Sequence, residues 1–244
     1  MKKLYKNNRP KFTNMKVQYM SDLHLEMSPG FRLEAHQVVA PYLILAGDIG
    51  NLREREYTEF LEHCSKLFMK VFVIVGNHEL YNGHVQGNDN DVNDIIFANK
   101  FNNVFVLNVL NVLNENEYYD LEDDFRIIGS TLWSYVPPEC AADVKCFVAD
   151  YRRIGGMREV TDSNALHARH VEAIKMNIQA AIKDKKKLII VSHHAPSTIG
   201  TSHPSKAGSP LNSAYATNLD YLICEPVAVW VHGHTHFSLS LIHI

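Results

Sequence analysis

The sequence predicts an α/β fold built on a parallel sheet, and three observations lead there. Five short apolar runs stand out, at Lys16 to Met20, Tyr42 to Ala46, Val71 to Val75, Lys187 to Val191 and Val227 to Val231. Uninterrupted runs of that length suit strands buried on both faces. Two of them, at Tyr42 and Val71, flank a segment with apolar residues at helical spacing, which is the order of a parallel βαβ unit. The third observation is chemical. Each run is followed by side chains able to hold a metal, and in a parallel unit the strand C-termini share one rim.

Residues 1 to 14 carry five basic residues, no acid and little apolar periodicity, so they are expected to be a disordered extension, with Met15 as the natural start and 15 to 244 as one domain. Lys16 to Met20 leads into Ser21-Asp22-Leu23-His24, where Asp22 and His24, two apart, would share one side of an extended backbone. A Pro/Gly loop at Ser28 to Gly30 precedes the Tyr42 strand, which ends in Gly47-Asp48. A buried strand rarely ends in an uncompensated carboxylate, because desolvating a charge costs several kcal/mol. The helix near Glu54 to Met69 repeats Tyr57, Phe60, Leu61, Cys64, Leu67 and Phe68 as a core face. The next strand ends in Gly76-Asn77-His78-Glu79. A polar loop at Gly87 to Asp91, a helix to Lys100 and a strand at Val104 to Leu107 follow, then a polar, acidic surface excursion from Leu110 to Asp124.

A strand from Arg126 comes next, and residues 135 to 162, with prolines, glycines and no clear period, read as a long loop beside the site. Leu166, Val171, Ile174, Ile178 and Ile182 define a helix over Asn164 to Ile182. The strand after it ends in Ser192-His193-His194-Ala195-Pro196. A Ser/Pro/Gly-rich loop then runs to Pro210, a helix is expected near Leu211 to Ile223, and the last strand ends in His232-Gly233-His234-Thr235-His236.

Composition narrows the function. A hydrophobic share of 46% and a charged share of 21% over 244 residues are ordinary globular values, and no apolar run reaches the ~20 residues of a membrane span. A net charge of -3 carries no electrostatic footprint for long nucleic acid. Lys183, Lys185, Lys186 and Lys187 read as a solvated helix end. Cys64, Cys140, Cys146 and Cys224 form no Cys-x-x-Cys pair, which points to reduced thiols in a cytoplasmic protein. Histidine is the unusual count: of fourteen, seven fall in the stretches that follow four of the apolar runs. Carboxylates, an amide and imidazoles without sulfur suit manganese, iron, zinc or cobalt. Asp48 fits a bridge between two ions, since one carboxylate can span metals ~3.5 to 4 Å apart.

Asp22-x-His24, Gly47-Asp48, Gly76-Asn77-His78-Glu79, His193 and Gly233-His234-x-His236 resemble, in order and spacing, the motifs of the calcineurin-like metallophosphoesterase superfamily, from about Met15 to His236. The resemblance implies a four-layer αββα sandwich, two mixed sheets flanked by helices. It also implies a pair of divalent or mixed-valence metal ions, manganese first, with iron or zinc as alternatives. Asp22, His24 and His236 would hold one ion, Asp48 would bridge, and Asn77, His193 and His234 would complete the second. His78 would be the general acid, and a hydroxide activated by both metals the nucleophile. His193 directly follows the apolar run and is preferred, but His194-Ala195-Pro196 also fits a His-x-Pro form. His232 is expected within the strand or just behind the ligands.

Two departures matter. Many relatives carry Gly-Asp-x-x-Asp, whose second acid orients the catalytic histidine; here Gly47-Asp48-Ile49-Gly50-Asn51 ends in an amide, which argues against a protein phosphatase. The chain also ends eight residues after His236, and Leu239 to Ile244 looks like a translated sequencing-adapter end, so the domain is expected to be cut short there, with His243 meaningless. The leading expectation is a metal-dependent phosphoesterase acting on a small phosphomonoester or phosphodiester. A nuclease or cyclic-nucleotide phosphodiesterase is the alternative; Lys145, Arg152, Arg153, Phe147 and Tyr151 are all the loop offers toward it. A non-catalytic metal-binding scaffold ranks last, because every ligand position is filled.

Overall fold

A computed structural model describes residues 15–28, 30–85, 101–108, 118–122, 124–206 and 208–237. The N-terminal extension, the loop from Gly87 to Asp91, the helix to Lys100 and the tail from Leu239 lie outside them. Among the described residues two four-stranded sheets form. The first runs β1 (Val17–Met20), β2 (Tyr42–Ala46), β3 (Lys70–Ile74) and β4 (Val104–Val106), all parallel. The second runs β5 (Tyr118–Asp120), β6 (Phe125–Ser130), β7 (Lys187–Ser192) and β8 (Val227–Val231), with β5 antiparallel to β6 and the rest parallel.

Period-two alternation sorts the apolar side chains into the interfaces of a four-layer sandwich. Leu43, Leu45, Val71, Val73 and Val75 share one cluster with Tyr57, Phe60, Leu61 and Cys64 of helix α1 (Arg55–Leu67). The alternate residues Tyr42, Ile44, Phe72 and Ile74 meet Ile127, Ile189, Val191 and Val231 between the sheets. Ile128, Leu188 and Ile190 turn the other way, onto Val171, Ile174, Ile178 and Ala181 of a long helix. That helix, α4 (Val160–Asp184), starts earlier than its apolar period shows. Glu159 accepts from the Asp162 N–H while Asp162 Oδ2 accepts from the Glu159 N–H at 2.9 Å, a reciprocal cap that adds a turn before the apolar stripe. Ile182 stands 52% exposed, because Ala181 takes the inward position.

Three sequence expectations are corrected. The acidic excursion contains β5, an edge strand tied through Asp120 to Arg126, whose Nε donates at 2.7 Å. The long loop over 135 to 162 contains helices α2 (Ala141–Phe147) and α3 (Asp150–Arg153), each too short to show a period. Val136, Val144 and Val148 pack there against Val160 and Ala214. The helix expected near Leu211 to Ile223 is two 3-10 turns, Pro210–Ala214 and Asp220–Leu222, separated by backbone that pairs with the chain after β7. Thr217 N–H donates to Ala195 O at 3.1 Å there, which removes the segment from a helical ladder.

Candidate metal centre

The rims of both sheets meet at the C-terminal ends of their parallel strands, and backbone hydrogen bonds lace the loops together. Asp22 N–H donates to Gly47 O at 3.1 Å, His24 N–H to Asp48 O at 3.0 Å, and Gly233 N–H to His193 O at 3.0 Å. Asp22 and His24 are not extended as expected: their φ angles are 55° and 46°, in the left-handed region, so a coil rather than alternation aims them together. Asp48, His234 and His236 share that conformation. Glycine keeps the approach open. A Cβ on Gly76 would collide with Asp48 Oδ1 and lie 2.5 Å from Asp48 N, and one on Gly233 would collide with Ser21 Oγ and lie 2.5 Å from Asp22 Oδ2.

All seven expected ligands are brought to this rim. Ligand atoms of Asp22, His24 and His236 lie within 4.8 Å of one another, as do those of Asp48, His193 and His234. In the first trio His24 Nε2 is 3.2 Å from His236 Nε2, which is 3.3 Å from Asp22 Oδ1. In the second, His193 Nε2 is 3.3 Å from Asp48 Oδ1 and 3.0 Å from Asn77 Oδ1. Asp48 stands between the trios, with Oδ2 3.9 Å from His24 Nε2 and Oδ1 toward His193. His78 is beside it, Nε2 3.9 Å from Asp48 Oδ2. His194 joins neither trio: its ring stacks on His234 at 4.0 Å and its Nδ1 is 3.0 Å from Ser134 Oγ. His232 lies just past β8, its Nδ1 turned to Gly233 O.

The donor set fits hard or borderline cations: oxygens and imidazole nitrogens converge with carboxylate charge in their midst. Burial works against the Asp48 charge, but His193, His78 and His234 outweigh it and hold the carboxyl well below its usual range. Burial opposes the His193 cation too, yet Asp48 beside it raises that imidazole, so a metal ion there competes with a proton. Burial pushes His234 the other way, well below its usual value, so it is neutral and ready to ligate.

Three carboxylates stand behind the centre that the sequence motifs do not point to. Glu79 is buried and accepts from the Asp48, Ile49 and Gly76 N–H groups at 2.9, 2.7 and 2.9 Å, bracing the turn that carries Asp48. Burial, with the Asp48 charge next to it, pushes its carboxyl up to about 8. Asp150, at the start of α3, accepts from Asn77 Nδ2 at 3.0 Å and Tyr81 Oη at 2.8 Å. Glu26 Oε1 lies 2.9 Å from His78 Nδ1 and 3.3 Å from His24 Nδ1. Burial penalises its charge, but the hydrogen bonds from His24 and His78 hold the carboxyl down at about 2. Asn51, where an orienting acid was expected, instead accepts from Arg53 N–H at 3.0 Å. Glu26 stands two residues past His24, but nothing local in the sequence pairs it with His78; Asp150 is a lone acid in a segment without period.

The profile of the calcineurin-like phosphoesterase family matches residues 15–238. An uncharacterized protein of Acanthamoeba polyphaga mimivirus is 29% identical over 255 residues, covering 93% of this chain and 86% of the viral one. Among solved structures, the phosphopantetheinyl hydrolase from Mycobacterium tuberculosis superposes with a TM-score of 0.66 at 17% identity, covering 93% of this chain and 85% of its own. A candidate 5′-nucleotidase from Staphylococcus aureus, in complex with alpha-ketoglutarate, superposes at 0.54 and 13% identity over 92% of this chain and 46% of its own.

Proposed function

Since the chain belongs to the calcineurin-like phosphoesterases, hydrolases of phosphoester bonds, we propose that it hydrolyses a small phosphomonoester or phosphodiester at the rim built around Asp48. The reading rests on the placement of Asp48, one oxygen toward His24 of the first trio and the other toward His193 of the second. We assign Asp22, His24 and His236 to one ion, Asn77, His193 and His234 to the other, and Asp48 to both. Manganese is the first choice of metal, ahead of iron and zinc. Ions bound there supply positive charge against the phosphoryl oxygens and acidify water. His78, its Nε2 directed to the same space, delivers a proton to the departing ester oxygen.

Small size of the substrate is supported by a cavity of about 350 Å³ that takes in two of the assigned ligands, lined by Ser21, Asp22, Gly233, Thr235 and His236, within the range of small-ligand pockets. Of the five residues that could have formed a nucleic-acid track, Lys145 pairs with Glu159, Arg152 with Cys146 O, and Tyr151 Oη with Ser163 Oγ at 2.8 Å, while Arg153 lies over the Tyr81 ring and Phe147 is exposed. No helix among the described residues is long and apolar enough to cross a membrane.

The test is a screen of phosphomonoesters, phosphodiesters and cyclic nucleotides with added manganese, run with Asp48→Asn and after chelation. Asp48→Asn is expected to lose metal and to reduce turnover by at least ~100-fold, since a neutral amide cannot serve two cations. Turnover within about tenfold of wild type, or activity that survives verified metal removal, would refute the reading.

A further inference from the structure

Glu26 is placed to act on two histidines at once. A carboxylate only accepts hydrogen bonds, so both His78 Nδ1 and His24 Nδ1 must carry the proton that meets Oε1, at 2.9 and 3.3 Å. The tautomer of each ring follows: the lone pair of the neutral imidazole is left at Nε2. Both Nε2 atoms are 3.9 Å from the same Asp48 Oδ2, and the rings meet edge to face with centroids 4.3 Å apart. Two imidazoles are thereby held between one carboxylate on the outside and another at the centre.

The other Glu26 oxygen, Oε2, is buried and accepts no hydrogen bond among the described residues. Leaving an oxygen desolvated and unmatched costs ~1 to 3 kcal/mol, which the two imidazole hydrogen bonds to Oε1 offset. The loop also holds it there: Leu25 N–H donates to Ile49 O at 3.0 Å, and Met27 and Ser28 N–H both donate to His24 O, at 2.8 and 2.9 Å.

We propose that Glu26 is the positioning residue of this centre, holding His78 and His24 through Nδ1 so that Nε2 of the His78 imidazolium can give its proton, leaving the neutral Nδ1–H ring, and Nε2 of neutral His24 can ligate. The part concerning proton delivery rests on the phosphoesterase reading. A competing role for the same geometry is a third ligand trio, since the ligand atoms of His24, Glu26 and His78 also lie within 4.8 Å of one another.

The experiment compares the manganese-loaded wild type with Glu26→Gln and Glu26→Ala on an alkyl phosphate and a nitrophenyl phosphate. Metal content is measured by mass spectrometry, and the imidazole tautomers of the metal-free proteins by nitrogen-15 NMR, with His78→Gln to assign the signal. The expected result, in excess manganese, is a fall in kcat of about 10- to 100-fold on the alkyl ester with KM little changed, a much smaller fall on the nitrophenyl ester, full metal content in excess manganese but less than wild type at limiting manganese, and loss of the Nδ1–H form of His78 in Glu26→Ala. Equal losses on both esters, metal lost even in excess manganese, or a His78 signal like that of wild type would each overturn the proposal. If wild type hydrolyses no phosphoester, the functional reading fails by itself, and the tautomer measurement still decides the role of Glu26.

Discussion

Replacing Asp150 with Asn asks whether a residue that touches no substrate sets the metal affinity of the centre. Asn77 offers an oxygen and an amide NH₂, and the two differ in value at a cation site: only the oxygen can ligate. Asp150 decides between them, because its Oδ1 accepts from Asn77 Nδ2 at 3.0 Å and so leaves Asn77 Oδ1 facing His193 Nε2 at 3.0 Å. Tyr81 Oη donates to the same Asp150 oxygen at 2.8 Å, and α3 carries the carboxylate in a buried position. In Asp150→Asn the shape persists but the acceptor-only character is lost, so Asn77 can turn. Loss of such an outer partner typically lowers metal affinity 10- to 100-fold, which is about 1.4 to 2.7 kcal/mol. Overall stability should change less, because burial already raises the Asp150 carboxyl and a neutral amide escapes that penalty. Asp150→Ala is the contrast: it leaves the buried Tyr81 hydroxyl without its acceptor and Asn77 Nδ2 with only Tyr81 Oη at 3.3 Å, and should lower stability by ~1 to 3 kcal/mol. The assay is competition against a chromophoric chelator, with urea unfolding of the metal-free proteins alongside. Wild-type affinity in Asp150→Asn, or a loss no greater than in Tyr81→Phe, would refute the reasoning.

Two further outcomes are expected. Gly76→Ala places a methyl against Asp48 and 3.0 Å from Glu79 Oε2, so metal content and activity should fall together; a fully loaded, active variant would show that the turn can give way. Burial pushes the His170 imidazole down to about 3, whereas an unfolded histidine titrates near ~6.5. Between those values the unfolded chain binds the proton and the fold does not, so stability falls by about 1.4 kcal/mol per pH unit as pH drops below ~6.5. His170→Leu should flatten that slope in denaturant titrations; an unchanged slope would assign the acid sensitivity to other buried histidines.

Periodicity is legible where an element is long enough to repeat. The runs at Tyr42 and Val71 alternate between two interfaces, and the α4 stripe spans several turns, so both could be read from residue type alone. Helix α3 has four residues and the turn at Asp220 three, less than a repeat, and β5 is held by Arg126 from a later part of the chain. The ligands were legible for a different reason: each follows a strand, and a parallel topology brings strand ends together. Their supports were not. Asp150 reaches Asn77 from 73 residues away and Glu26 reaches His78 from 52, and no local pattern records a pairing across such distances.

Backbone conformation connects the strand ends to the ligands they carry. Nine non-glycine residues among those described have positive φ, and five of them are Asp22, His24, Asp48, His234 and His236. Such conformations cost ~1 to 3 kcal/mol each and persist where the surroundings enforce them. Glycine would remove the cost, but it carries no ligand. The fold instead places glycine at the adjacent positions 47, 76 and 233, where side chains or backbone come too close for a Cβ, and keeps carboxylate and imidazole at the strained ones. The coil also turns backbone donors inward: His78 N–H meets Asp48 Oδ1 at 2.8 Å, and His234 N–H meets Asp22 Oδ1 at 2.9 Å. Each carboxylate is thus aimed by a neighbouring loop before any cation arrives. The strain is the cost of that aim, and its concentration at the ligands is what separates a built centre from acids and histidines that happen to share a rim.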